Sequence, residues 1–323
     1  MTSSVKGTLR LYGAGGAGIN CISIFNDVKP DLGAASILTT YIDTSRSNLK
    51  PEFKEDDCFL LKGVDGSGKI RRENHKEISE SIKKILLDHK PGDFNIVVSS
   101  ASGGSGSVIS PLIVAELLKR GESVVYCLIG SAECAVTATN TLNTLKSLDA
   151  IAAKNNVPVV VFYRQNDNDT PRSSIDKQIQ GTIASIANLV SRENEGLDTK
   201  DISNWVRFNY STGVEAQLAL LDVFTEGEQV KQVIDPISIA SLYNDPDQPK
   251  IAATPEYTCV GYFPTRSEGF DELHLTVSTH GLDGIYSKFD DIVKDFTLRR
   301  EGRQAKIKLL KETDVLTDDD LVL

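Results

Sequence analysis

Between residues 8 and 163, short runs of apolar and β-branched residues alternate with longer stretches of helical composition. Runs at 8–12, 36–42, 95–99, 123–129 and 158–163 read as strands, and several hold apolar residues at consecutive positions. Consecutive rather than alternating apolar residues imply strands buried on both faces, as in a parallel sheet covered by helices. The expected class is therefore α/β. From 174 to 192, Ile175, Ile179, Ile183, Ile186, Ala187 and Val190 recur at three- and four-residue spacing, so a long helix with one apolar stripe should connect two units. Beyond it, 257–263 and 272–279 read as strands, the second alternating Leu273, Leu275 and Val277 with polar residues. A smaller α+β unit follows from that texture. Residues 282–311 are helical in composition, with Ile285, Phe289, Ile292, Val293 and Phe296 at helical spacing and Gly302 as the point where the helix could break. Trp205, Phe208 and Tyr210 read as packing residues.

Composition narrows the classes. The 323 residues suffice for about two domains. A hydrophobic share of 40% with 25% charged residues is that of an ordinary globular chain. The net charge of −10 argues against a general nucleic-acid or anionic-membrane binder, which needs a basic surface. The five cysteines include no CxxC pair and no histidine at ligand spacing, so reduced thiols are expected and no protein metal site. Residues 1–10 lack the basic and apolar regions of a signal peptide, and no apolar run approaches the ~20 residues that span a bilayer. The expected location is cytoplasmic.

Three glycine-rich segments carry the candidate chemistry. Gly13-Ala14-Gly15-Gly16-Ala17-Gly18 follows the first strand and precedes a helix. Glycines there let the backbone turn tightly against a phosphate, and free amides at the helix start can bind it. This pattern equally fits a dinucleotide-binding fold, with Asp43 as the ribose acid, or a plain strand-to-helix turn. Gly63 to Ile70 nearly matches a P-loop, but Ile70 occupies the position of the magnesium-binding hydroxyl. A loop closing over a ligand, or a flexible surface loop, is the better reading. The third segment, residues 99–107, again lies between a strand and an apolar helix, at 108–118, and offers many amides and hydroxyls to a di- or triphosphate. A dehydrogenase has no use for this second cradle.

With these loops in place, the chain resembles the tubulin/FtsZ superfamily, and Ser102-Gly103-Gly104-Ser105-Gly106-Ser107-Val108 looks like that family's glycine loop with its two end glycines replaced. The replacement is similar to the divergent tubulins of large bacteriophages. The resemblance implies a GTP- and GDP-binding, Mg2+-dependent GTPase that polymerises head to tail with copies of itself. It implies phosphate and nucleotide contacts at Gly13, Ala14, Gly15, Gly16, Gly18 and Asn20, at Asp43, and at Gly66, Ser67, Gly68 and Lys69 near the γ-phosphate. Gly103, Gly104, Ser105, Gly106 and Ser107 would cradle the α- and β-phosphates. Glu133 would bond the ribose, Asn166 would read the guanine, and Asp176 falls near a further base-reading position. An arginine that the family carries four residues after Glu133 is Thr137 here.

The same resemblance makes Asp198 and Asp201, within Leu197-Asp198-Thr199-Lys200-Asp201, the catalytic pair that enters the nucleotide pocket of the next subunit. A carboxylate can polarise the attacking water. The local alternative is a solvated Asp198 with Asp201 as a helix cap. The implied organisation is a nucleotide-binding GTPase domain at 1–170, a connecting helix at 171–195, an α+β activation domain at 196–281, a C-terminal helix at 282–312 and an acidic tail at 313–323. That tail would contact the adjacent subunit; a solvated tail is the ordinary reading of its aspartates. A phage origin and a role in positioning viral DNA in a host cell follow from resemblance alone. The alternatives kept open are an NAD-type oxidoreductase and a non-hydrolysing tubulin homologue.

Overall fold

The computed structural model describes residues 6–26, 33–167, 170–267 and 269–313. The first half winds in the expected order. β1 (Thr8–Ala14), α1 (Gly15–Ile22), β2 (Ser36–Asp43), β3 (Cys58–Leu60), α2 (His75–Asp88), β4 (Phe94–Ser100), α3 (Gly106–Arg120), β5 (Val124–Ser131), α4 (Ala135–Asn155) and β6 (Val159–Asn166) lead into α5 (Arg172–Leu189). After α5 come α6 (Thr199–Val206), β7 (Leu218–Phe224), the single turn α7 (Gly227–Val230), β8 (Ser238–Tyr243), β9 (Tyr257–Tyr262), β10 (Glu272–Ser278) and α8 (Leu282–Thr313).

All ten strands form one sheet in the order β3-β2-β1-β4-β5-β6-β7-β10-β8-β9. The part from β3 through β7 is parallel throughout, for example Leu11 opposite Thr39 on β2 and opposite Ile96 on β4. β4 and β5 are buried along almost their whole length, which is why their sequences read as apolar runs without alternation. Helices cover both faces. On one, Ile19 and Ile22 of α1, Ile175 to Leu189 of α5 and Trp205 of α6 pack on Leu9, Ile96 and Phe162. On the other, Ile78 to Leu86 of α2, Ile109 to Leu118 of α3 and Leu145 to Ala152 of α4 pack on Tyr12, Val97 and Tyr126.

The second unit does not start a new sheet: β7 joins β6 in parallel through Val159–Leu218, Val160–Ala219 and Val161–Leu220, and antiparallel β10 then carries β8. α8 returns to the first unit, where Phe289 packs on Ala138 and Leu142 of α4. It runs unbroken through Gly302, so that glycine does not interrupt it. Thr313, assigned to the tail from sequence, still belongs to α8; the rest of the expected tail, 314–323, lies outside the described residues. Trp205 and Phe208 are wholly buried as expected, whereas Tyr210 is 60% exposed beneath the Arg207 guanidinium. No helix among the described residues is long and apolar enough to cross a membrane.

Candidate functional site

In a sheet of order 3-2-1-4-5-6, the chain leaves β1 and β4 in opposite senses, and a crevice opens outside their carboxyl ends. A cavity of about 770 Å³ lies at that switch point. Every segment that lines it comes from the carboxyl end of a strand of the parallel part or from the chain just beyond it. Ala14, Gly15, Gly16, Ala17 and Asn20 come from the end of β1 and from α1, Asp43, Ser45, Ser47 and Asn48 from the end of β2 and beyond, and Gly66, Ser67 and Lys69 from the loop after β3. Ser100 and Ser102 to Gly106 come from the end of β4 and the loop after it, Ile129, Ser131, Glu133 and Thr137 from the end of β5 and beyond, and Asn166, Arg172 and Asp176 from the end of β6 and the start of α5.

The glycines allow the loops to interlock. A Cβ at Gly106 would lie 2.6 Å from the carbonyl oxygen of Ala14, and one at Gly104 would lie 2.2 Å from Ser67 Oγ. The first and third glycine segments therefore touch, and the second closes onto the third. Hydroxyls join them: Ser105 Oγ is 2.5 Å from Thr44 Oγ1 and 2.8 Å from Ser67 Oγ. Asn140 of α4 donates to the carbonyls of Lys69 and Ser102 and so ties the two loops together. The segment around Gly66 and Lys69 leads into a turn and then Asn74, with α2 starting only at His75, so it is a closing loop and no P-loop. Neither α1 nor α3 has a side-chain cap, which leaves amides at both helix starts for an anion.

At the other end the surroundings are carboxylates and amides. Asn166 Oδ1 is buried without a hydrogen-bond partner, an arrangement that costs about 1–3 kcal/mol until a donor arrives. Asp176 accepts a hydrogen bond from the thiol of Cys21 at 3.0 Å, a link between α5 and α1. Burial and that carboxylate push the Cys21 thiol well above its ordinary value, so it stays a donor. Asp43 is engaged by the amides of Thr44 and Ser45 and by Asn48 Nδ2 at 2.7 Å. Arg172, in the first turn of α5, reaches Glu133 at 2.7 Å across the cavity mouth.

Of the residues read from sequence, Ala14, Gly15, Gly16, Asn20, Asp43, Gly66, Ser67, Lys69, Gly103, Gly104, Ser105, Gly106, Glu133, Asn166 and Asp176 converge on this cavity. Gly13, Gly18, Gly68 and Ser107 stand outside its lining. A Cβ on Gly18 would meet Val98 O at 2.0 Å and one on Gly13 would meet Gly18 O at 2.8 Å, so these two serve close packing of α1 on the sheet. Ser107 Oγ donates back to the Gly103 carbonyl and steadies the loop. Ser45, Ser47, Asn48 and Arg172 line the cavity without having been read from sequence.

Asp198 and Asp201 lie elsewhere. α5 begins at the cavity, and the thirteen residue-to-residue rises from Asp176 to Leu189 carry the chain about 20 Å away. There the amides of Gly7 and Ala35, just before β1 and β2, bond to Ser191 and Ala187 carbonyls, so α5 ends at the amino ends of these strands, opposite the cavity. The acidic pair follows, at the start of α6. Asp198 is the N-cap, accepting from the amides of Lys200 and Asp201, while Asp201 accepts from the amide of Asp198. The expected cap at Asp201 is present as the N3 member of a capping box whose N-cap is Asp198, since the helix starts at Thr199. The two capping amides hold the exposed Asp198 carboxyl below the usual carboxylate range, and Tyr257 OH lies 3.2 Å from Asp201 Oδ1. Among the described residues, no group of three or more His, Cys, Asp or Glu could hold a metal ion.

Residues 197–282, which include this acidic turn, match the family model described as the C-terminal domain of phage tubulin-like proteins. Over 317 residues the chain is 32% identical to the phage tubulin-like protein of Pseudomonas phage PhiPA3, covering 97% of this chain and 98% of that one. The chain belongs to the phage tubulin-like proteins. Solved structures agree. The protofilament of TubZ from bacteriophage PhiKZ superposes with a TM-score of 0.84 at 29% identity, covering 91% of this chain and 92% of that one. The phage tubulin PhuZ with GDP superposes with a TM-score of 0.81 at 28% identity, covering 98% and 95%. As a phage tubulin-like cytoskeletal protein, the chain is no nicotinamide oxidoreductase; its second glycine cradle is built into the same cavity as the first.

Proposed function

We propose that this phage tubulin-like protein binds GTP and GDP in the cavity and hydrolyses GTP only when assembled head to tail. The observation that carries the reading is the separation of the glycine-lined cavity, at the carboxyl ends of the parallel strands, from an exposed acidic turn that follows the far end of α5. Gly104, Gly106 and the free amides of α1 and α3 suit a polyphosphate, and the orphaned Asn166 Oδ1 suits a base that donates hydrogen bonds. Mg2+ would reach the cavity with the phosphates, Asp43 and the nearby hydroxyls being its protein neighbours, and would supply charge neutralisation on the transferring phosphoryl. In the filament, Asp198 and Asp201 of one copy would orient the water that attacks the nucleotide of the next. Similar structures are a protofilament and a GDP complex, which supports assembly and guanine-nucleotide binding.

The finer organisation belongs to the same proposal: a GTPase domain at 1–170, the α5 connector within 171–195, an activation domain at 196–281 and the α8 segment. The acidic tail, residues 314–323, would dock on the adjacent copy. A groove of about 580 Å³ beside the cavity suits it, since Lys69, Arg71, Arg72 and Arg300 line it with no carboxylate, and Ile70 and Val136 are exposed there. The filament would work in the cytoplasm of the infected cell and position viral DNA, with no direct nucleic-acid or membrane contact.

Asp198→Asn and Asp201→Asn test the catalytic assignment. Asparagine keeps the cap, so these variants should fold, bind GDP and form filaments, with phosphate release reduced at least about a hundredfold. Normal release from both would refute the role of the pair.

A further inference from the structure

The cavity lining holds a guanidinium that the motifs of the sequence did not mark. Arg172 stands at the first position of α5, one turn before Asp176, and both line the cavity. Its Nη2 meets Glu133 Oε1 at 2.7 Å, while three quarters of its side chain stays exposed. One point of contact leaves most of its donors directed to solvent at the mouth. Its neighbour on that wall, Thr137, is not free in this way: it is 2% exposed, and its hydroxyl is taken up by the α4 cap, accepting from the Cys134 amide at 3.0 Å. Lys69, the other cation of the lining, comes from the loop after β3, whose backbone is tied to Asn140.

A carboxylate paired with a guanidinium presents acceptors beside donors, which is the complement of a cis-diol, whose two hydroxyls each donate and accept. The phosphate side of the cavity is set by the glycine loops and the base side by Asn166 and Asp176. Because β5 lies between β4 and β6, Glu133 falls between the glycine loop after β4 and Asn166, and Arg172 reaches it there. We infer that Arg172 closes over the bound nucleotide and holds the ribose hydroxyls together with Glu133, making it a specificity residue for a ribonucleotide. The inference rests on the guanine-nucleotide reading of the cavity. Because Arg172 opens α5, the clasp also ties the sugar to the helix that runs to the acidic turn.

The test is calorimetric titration of the wild-type chain, Arg172→Ala, Arg172→Lys and Glu133→Gln with GDP and with 2′-deoxy-GDP. Circular dichroism and urea midpoints check that each variant is folded. The wild-type chain should prefer GDP, and Arg172→Ala should lose about tenfold in GDP affinity. Its affinity for the deoxy form should fall less, so the preference shrinks; Glu133→Gln should shrink it too, and Arg172→Lys should recover part of it. A folded Arg172→Ala chain that keeps the wild-type preference overturns the inference while leaving the nucleotide site intact. An equal loss for both nucleotides also overturns it, since Arg172 would then act on phosphate or on α5. A wild-type chain that binds neither nucleotide would instead sink the reading of the cavity.

Discussion

A methyl group at Gly18 would sit 2.0 Å from the Val98 carbonyl, whereas one at Gly103 would meet nothing within 4 Å. The two glycines therefore answer to different demands. Gly18→Ala should cost about 1–3 kcal/mol in urea unfolding, because α1 must lift off β4. Gly103→Ala should change stability by less than about 0.5 kcal/mol and yet weaken GDP binding, because its open side faces the cavity. Equal stability for the two variants would show that the packing of α1 has been misjudged. Single residues were legible where the demand is local: Gly15, at φ +67°, sits in a conformation that strains any side chain whatever surrounds it. What sequence left open was the split of labour, since Gly18 packs on a strand eighty residues away. Arg172 was missed for the same reason, its partner Glu133 being 39 positions distant. Ser45, Ser47 and Asn48 sit in and beside a 3-10 turn, Arg46–Asn48, with no glycine or periodic signal to mark them.

Elements with continuous apolar character were read within a residue or two, among them β4 and β5. β7 and β8 were not. In β8, Ser238 and Ser241 stand at fully buried positions, and polar letters there obscure the pattern; their partners, the Trp205 carbonyl and His274 Nδ1, become visible only across the sheet. His274 on β10 has a consequence of its own. It is fully buried beside Ser241 and Tyr243, with Glu272 3.5 Å from its second nitrogen. Burial outweighs the carboxylate and sets its pKa below the ordinary 6.5. The unfolded chain then takes up a proton that the folded chain refuses, so the stability from neutral His274 is complete above about pH 6.5 and is lost as pH falls below it. Urea midpoints between pH 7.5 and 5 should drop less steeply in His274→Gln than in the wild-type chain, the difference approaching about 1.4 kcal/mol per pH unit. Parallel slopes would mean that His274 keeps an ordinary pKa.

On the scale of the molecule, the sheet is continuous from β3 to β9, with α5 packed on one face and α8 on α4. The pattern along the chain suggested two units and a connector, yet their union into one sheet depends on the β6–β7 pairing, which periodicity does not encode. The cavity and the acidic turn lie apart within one copy, and on the proposed reading stacking brings the turn of one copy to the cavity of the next. Removing residues 314–323 should raise the concentration needed for assembly, with the intact chain more sensitive to salt than the shortened one; an unchanged threshold would remove the tail from the contact. The most direct measurement is phosphate release per molecule against protein concentration, with light scattering followed in the same samples and GTP saturating. Turnover per molecule should be negligible below the scattering threshold and rise with polymer above it. Equal turnover per molecule on both sides of the threshold would contradict a reaction centre shared between neighbours.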